Sequence, residues 1–356
     1  MLTFGTVEIS NYIRKGKENE QAKIINSGII FCLAVSVPAW LLGNYFVVIG
    51  GPIFGILFGI ALRVAYPNVL TRFSSGVKFT SRTLLQISII LLGFGMNLFL
   101  VFQVGSQSLF VMLFTLSTAF FVAFFVGKVL KINGKTTTLI GVGTAICGAS
   151  AVAAAAPAVR ANDTDIAHAI STIFLFNVIA VFIFPALGHL LGMNDTGFGI
   201  WAGTAINDTS SVVAAAASWS ASAGNNVALA FATIVKLTRT LMIIPITFAL
   251  AVVTSRKTRT CEERASFNLF KVFPWFIIGF ILAAVINTFV GFSSNISILL
   301  FDVGKFMIIM AMMAIGLNTN VKSLLANGFK PILLGLCCWF AVAGVSLFVQ
   351  FFMRTL

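Results

Sequence analysis

The sequence predicts an all-α fold, a polytopic membrane helix bundle with inverted repeats and two discontinuous or re-entrant helices. Of its 356 residues, 59% are apolar and only 9% are charged, against about 25% charged in an ordinary soluble domain, so a water-soluble protein is excluded. Apolar runs long enough for a hydrocarbon core, which takes about 20 residues per helix, recur along the whole chain. Two of these runs are rich in Ala, Gly, Ser and Thr instead of Leu and Phe, and they resemble each other.

The net charge of +13 would suggest a nucleic-acid partner in a soluble protein. Here 18 of the 23 cations fall in five segments that border apolar runs: Arg14 to Lys23, Arg63 to Arg82, Lys128 to Lys135, Arg256 to Lys271, and Lys322 with Lys330. That is the positive-inside pattern. The bilayer is the partner, and nucleic acid is not invoked. The pattern also places the N-terminus in the cytoplasm. Residues 1–26 intersperse Phe4, Val7, Ile9, Tyr12 and Ile13 among charges, which reads as an interfacial cytoplasmic segment and not as a cleavable signal peptide. Residues 27–356 then form one membrane transporter domain of about 9–11 spans.

Eleven apolar runs follow, the first at about 27–48 and the last at about 331–353. The fifth, 139–158, and the seventh, 199–219, are the unusual pair. Gly143-Thr-Ala-Ile-Cys-Gly-Ala-Ser-Ala-Val-Ala-Ala-Ala-Ala156 and Gly203-Thr-Ala-Ile-Asn-Asp-Thr-Ser-Ser-Val-Val-Ala-Ala-Ala216 are identical at nine of fourteen positions. Small polar runs suit broken helices, whose free backbone groups are tolerated only inside protein or beside a wet cavity. If both cross, there are eleven spans. If both dip in and return, nine crossings keep every basic loop inside, and the two motifs enter from opposite faces. The quiet loop at 192–198 favours this second version. A second echo pairs Leu92-Gly-Phe-Gly-Met-Asn97 with Met313-Ala-Ile-Gly-Leu-Asn318, but its different offset leaves the repeat boundaries open.

Polar groups concentrate in the first half of each small-residue run: Thr144, Cys147, Gly148 and Ser150 in one, and Thr204, Asn207, Asp208, Thr209, Ser210 and Ser211 in the other. Helices starting there would aim free N–H groups and the positive ends of their dipoles into a cavity, which makes an anion site. Close packing of small residues accounts for Ala153 to Ala156 but not for five successive polar residues. Asp208 lies in mid-run, where an uncompensated charge costs roughly 2.5–3.5 kcal/mol. Lys236 and Arg239, three apart on one helix face, are its expected partners or the ligands of an oxyanion. Asp208 and Ser211 are the candidate coupling-ion residues, for H⁺ or Na⁺, and the rest are candidate substrate contacts. Asp302 and Lys305 read as a structural pair, and His168 and His189 as interfacial. Asn97 and Asn318 suit either a cavity lining or helix ends. The five cysteines, Cys32, Cys147, Cys261, Cys337 and Cys338, carry neither a disulfide framework nor a zinc pattern. No cofactor or metal is called for. The glycines of residues 50–59 suit packing within the chain or between protomers of a homodimer.

Gly51-Pro-Ile-Phe-Gly-Ile-Leu-Phe-Gly59, Gly143-Thr-Ala-Ile-Cys-Gly-Ala-Ser150, Gly203-Thr-Ala-Ile-Asn-Asp208, Val235-Lys-Leu-Thr-Arg239 and Gly316-Leu-Asn318 together resemble the YeiH-type sulfate exporters. These are bacterial inner-membrane proteins grouped with the bile-acid and cation/proton antiporter-like transporters. The resemblance implies about ten helices, inverted repeats and export of a small sulfur oxyanion. Asn207 departs from the family pattern, which commonly has His before the Asp, so a proton site there is missing from this chain. The residues thus point to a secondary transporter of a small oxyanion such as sulfate, sulfite or a sulfonate. The alternatives are a Na⁺- or H⁺-coupled organic-anion carrier and an anion channel. An enzyme is not expected, since no nucleophile motif, metal-ligand cluster or Walker-type segment is present in the sequence.

Overall fold

A computed structural model describes residues 25–47, 49–257, 273–290, 294–320 and 328–355. The N-terminal interfacial segment and most of the basic segment from Arg256 to Lys271 therefore lie outside the described residues. All regular structure among those described is helical. In chain order the helices are α1 Ile25–Tyr45, α2 Gly51–Ala65, α3 Val69–Phe79, α4 Leu85–Leu92, α5 Leu98–Val129, α6 Gly134–Ala145, α7 Ala149–Ala158 and α8 Asp163–Leu190. They continue as α9 Asp195–Ala205, α10 Thr209–Ala223, α11 Val227–Leu241, α12 Ile243–Lys257, α13 Trp275–Phe289, α14 Ser294–Asn318 and α15 Phe329–Met353. A π-helical turn at Thr80–Leu84 joins α3 to α4. Among the described residues seven helical segments are long and apolar enough to cross a membrane, and α2 and α13 are shorter apolar helices. This is a polytopic membrane helix bundle, and its outward faces carry the apolar side chains that lipid requires, as Phe102, Phe121 and Phe124 of α5 illustrate.

Helix starts are set by asparagines. Asn97, Asn133, Asn162 and Asn194 each accept a bond from a first-turn amide of α5, α6, α8 and α9, which satisfies donors that the helix itself cannot. Asn97 is thus a cap, whereas Asn318 ends α14, with its Nδ2 donating to the Ser81 hydroxyl at 3.3 Å. Helices α2 and α14 pack on each other so closely that a Cβ on Gly59 would fall 2.2 Å from the Met313 carbonyl. The α2 glycines therefore serve a contact within the chain, through the small-residue packing usual in membranes.

Two groups of helices result. One contains α5 to α12 with α15, and the other α1 to α4 with α13 and α14. They meet where α10 lies against α2 and α14 and the Ser218 hydroxyl donates to the Ile49 carbonyl. A second junction joins α5 to α13, where the Leu98 amide donates to Thr288 and Asn287 donates to the Met96 carbonyl.

The small-residue runs do not cross. A straight run from α6 through α7 would separate its ends by about 37 Å at 1.5 Å per residue, yet the ends meet. Lys135 at the start of α6 donates to the carbonyl of Arg160, just past α7, at 2.7 Å. Asn133 and Thr136 both donate to Asp165 of α8, at 3.0 and 2.6 Å. Helices α9 and α10 fold back in the same way, with Asp195 of α9 accepting from Trp219 Nε1 and Asn225 Nδ2, each at 2.7 Å. His189 stacks on Trp219 with ring centroids 4.1 Å apart, tying this second mouth to the far end of α8. The 28-residue α8 thus has one re-entrant hairpin at each end. The arms have 10 to 15 residues, about half the length of α8.

Asp165 holds the first mouth shut while also completing the capping box of α8. Asp165→Ala removes both roles and is expected to lower stability by about 2–4 kcal/mol. Unfolding of the detergent-solubilised protein measures this, and Asp195→Ala should act similarly on the second hairpin.

Candidate functional site at the paired hairpin tips

Both hairpins turn at matching residues. Helix α6 ends at Ala145 with Ile146 as its C-cap, and α7 begins after Gly148. Helix α9 ends at Ala205 with Ile206 as its C-cap, and α10 begins after Asp208. The sixty-residue spacing seen in the sequence therefore applies to the breaks themselves. Gly148 has φ +72°, a conformation that costs an L side chain energy, and a Cβ there would lie 3.2 Å from the Cβ of Asp208. The two tips touch at this point.

Four helix ends converge here with opposite polarity. Helices α6 and α9 bring the negative ends of their dipoles and unpaired carbonyls, while α7 and α10 bring positive ends and unpaired N–H groups. Lys236 and Arg239, both fully buried on α11, serve the negative ends. Lys236 Nζ donates to the carbonyls of Ile146 at 2.8 Å, Ile206 at 2.9 Å and Asn207. Arg239 donates through Nε to Ala145 at 2.6 Å, and through its two terminal nitrogens to Thr144 and Thr204. Six buried carbonyls, three from each tip, are thereby satisfied by two side chains.

This corrects the expectation that the cations pair with Asp208. The ion pair found among the described residues is Lys305 with Asp302 at 2.9 Å, and Asp208 serves α10 instead. Its Oδ2 accepts from the amide of Ser210 at 3.0 Å and from the Ser210 hydroxyl. The physical reason is that helix C-termini in a dry interior need donors, and only the cations supply enough of them. A carboxylate cannot satisfy a carbonyl, but it suits a helix N-terminus.

The remaining predicted residues surround this centre. Thr204 is buried, and its hydroxyl meets Ser346 of α15 at 2.6 Å. Thr144 contributes its carbonyl to Arg239. Thr209, Ser210 and Ser211 are buried at the start of α10. Asn207 is buried between the two half-helices, with a carbonyl bonded to Lys236 and an Oδ1 without a donor among the described residues. Cys147 is buried, and its Sγ lies 3.1 Å from the Ser150 hydroxyl, which donates to the Cys147 carbonyl at 3.0 Å.

Helix α7 differs from α10 in two respects. Its N-cap is Gly148 and offers no side-chain bond. Its first turn also reaches the surface, since Ala149 is half-buried and Ser150 and Ala153 are exposed. No described protein group accepts from the amides of Ala149, Ser150 or Ala151, and unpaired amides are not tolerated against hydrocarbon. This face therefore meets water or a ligand. It presents three N–H groups, a hydroxyl and the positive end of a dipole, with the Oδ1 of Asp208 beside Gly148. Such a set can hold an anion.

Sequence reasoning missed the supports behind the tips. Asn177 of α8 accepts from the amide of Asp208 at 3.1 Å, and Gln350 of α15 donates to Ser346 at 3.2 Å. Each is a lone amide within an apolar helix, a pattern that marks interhelical hydrogen bonding. His168 and His189 lie toward opposite ends of α8, away from the tips.

Fold and site together define a multi-pass helical membrane protein built around two re-entrant hairpins. The family model described as "Conserved hypothetical protein 698" matches residues 27–335. A UPF0324 membrane protein of Fusobacterium nucleatum is 49% identical over 339 residues, covering 91% of this chain and 96% of its own length. UPF0324 membrane proteins of Streptococcus agalactiae and Streptococcus pyogenes are 47% and 48% identical, covering 92% and 91% of this chain and 97% and 96% of their own lengths. The chain belongs to this UPF0324 membrane protein family. No solved structure matches it.

Arg239→Lys keeps the charge but loses the planar fork, so carbonyls of both tips are left without donors. A loss of about 2–4 kcal/mol is expected, read as a fall in unfolding midpoint in detergent. Gly148→Ala should cost about 1–3 kcal/mol through its positive φ and its approach to Asp208.

Proposed function

We propose that this protein is a secondary transporter that exports a small oxyanion of the class of sulfate, sulfite or a sulfonate, by alternating access around the paired hairpin tips. One observation carries the reading: the first turn of α7, inside a membrane bundle, has three unpaired amides and an exposed Ser150, with no capping side chain. The anion would bind to these amides and the Ser150 hydroxyl, with Gly148 allowing close approach. Lys236 and Arg239 act on it at a distance, as fixed positive charge behind the tips. Asp208, whose Oδ1 lies beside Gly148 at the boundary of the two tips, is the candidate coupling-ion residue of this reading.

Two hairpins opening to opposite ends of α8 favour a carrier, because each tip is reached from a different side as one helix group moves against the other. The carboxylate beside the path argues against a plain anion channel. An enzymatic reading finds little support, since Ser210 is engaged as part of the α10 cap and both histidines lie toward the ends of α8. The basic segment Lys128 to Lys135 and Arg160 at the first mouth support a cytoplasmic opening of that hairpin in a bacterial cell membrane, with the N-terminus cytoplasmic.

Thermal-shift and proteoliposome uptake measurements with sulfate, sulfite, sulfonates and carboxylates test the proposal. At least one oxyanion should show saturable, exchange-type flux. Ser150→Ala should weaken its binding about tenfold, the worth of one hydrogen bond to a charged group. Asp208→Asn should tighten binding, because it removes a negative charge beside the anion. Wild-type handling by both variants would place the site elsewhere, and non-saturable conductance would favour the channel.

A further inference from the structure

We propose that the ammonium group of Lys236 is a tethered cation filling a monovalent-cation cage at the hairpin tips, so that the protein needs no sodium ion there.

The donor set supports this. Lys236 Nζ is held by three main-chain carbonyl oxygens, those of Ile146, Ile206 and Asn207. They come from both tips, at the points where both helices unwind. A neutral amine has two N–H groups and an ammonium has three, so three accepted bonds need the charged form. Main-chain carbonyls at broken helices are also the ligands that transporters of this general architecture offer to a coupling cation, and oxygen is the ligand that hard cations take. Here the cage is filled from behind by a side chain of α11 that is fully buried. No carboxylate contributes to it, because Asp208 is turned to Ser210.

The cage has a mechanical consequence. A freely exchanging cation would let the two tips separate when it leaves, whereas a covalently attached one keeps them joined at every stage. Arg239 reinforces the joint by bonding to both tips. The consequence for coupling rests on the transporter reading above, but occupancy of the cage does not.

Thermal unfolding of the purified full-length protein in detergent tests the proposal, with chlorides of choline, sodium, potassium and ammonium at equal ionic strength. The wild type is expected to unfold at the same midpoint in sodium as in choline. Lys236→Ala opens a cage of three unpaired carbonyls, so its midpoint in choline should fall. Potassium or ammonium should then raise it by several degrees, saturably, as binding to the folded state requires. A saturable, sodium-specific rise in the wild type overturns the proposal, and this arm stands even if the variant does not fold. A folded Lys236→Ala protein with one midpoint in all four salts also overturns it. Cation rescue without any anion uptake by the wild type would keep the cage and reject the transporter reading. Sodium-dependent stabilisation with intact anion uptake would do the reverse.

Discussion

Six buried carbonyls at the ends of α6 and α9 must be satisfied without water, and the core of the protein is arranged around that requirement. Each unmet carbonyl would cost about 1–3 kcal/mol, so the set would rival the whole stability of a typical domain. Lys236 and Arg239 satisfy them by reaching across from α11. Because each cation bonds to both hairpins, the tips are fixed to each other and to α11. The remaining helices of this group then act as supports. Helix α8 spans between the two mouths and fixes the amide of Asp208 through Asn177, and α15 backs Thr204 through Ser346 and Gln350.

With the negative helix ends engaged by cations, the two positive ends differ from each other. Helix α10 is capped by its own carboxylate and buried, whereas α7 is uncapped and partly exposed. The two similar motifs thus differ in their N-caps, which are Gly148 in one and Asp208 in the other. Glycine leaves room and open donors, and aspartate supplies a carboxylate that engages the first turn of α10.

Much of this was legible in the residues. The low charge content and the basic loops identified a multi-pass membrane protein, and the small polar composition of 139–158 and 199–219 identified the broken segments. The sequence left open whether those segments cross or return, because the deciding contacts, such as Lys135 with the carbonyl of Arg160, join residues with no pattern in common. Lys236 and Arg239 stood out by their mid-run position and spacing. Their partners were not, since main-chain carbonyls have no sequence signature, and the visible acid, Asp208, was the natural but incorrect choice. Asn177, Ser346 and Gln350 were hidden for a related reason: a lone polar residue in an apolar helix signals some partner without saying which.

The central claim is that the cation hub is dry and structural while the start of α7 is wet and binds the ligand. Paired cysteine accessibility in membrane vesicles tests this most directly, using a water-soluble, membrane-impermeant maleimide on Ser150→Cys and Thr204→Cys in a background lacking the native cysteines. The account predicts that the residue at position 150 is labelled, that a transported oxyanion slows its labelling, and that position 204 stays unreactive. Labelling of both positions at similar rates, or of neither, would contradict it.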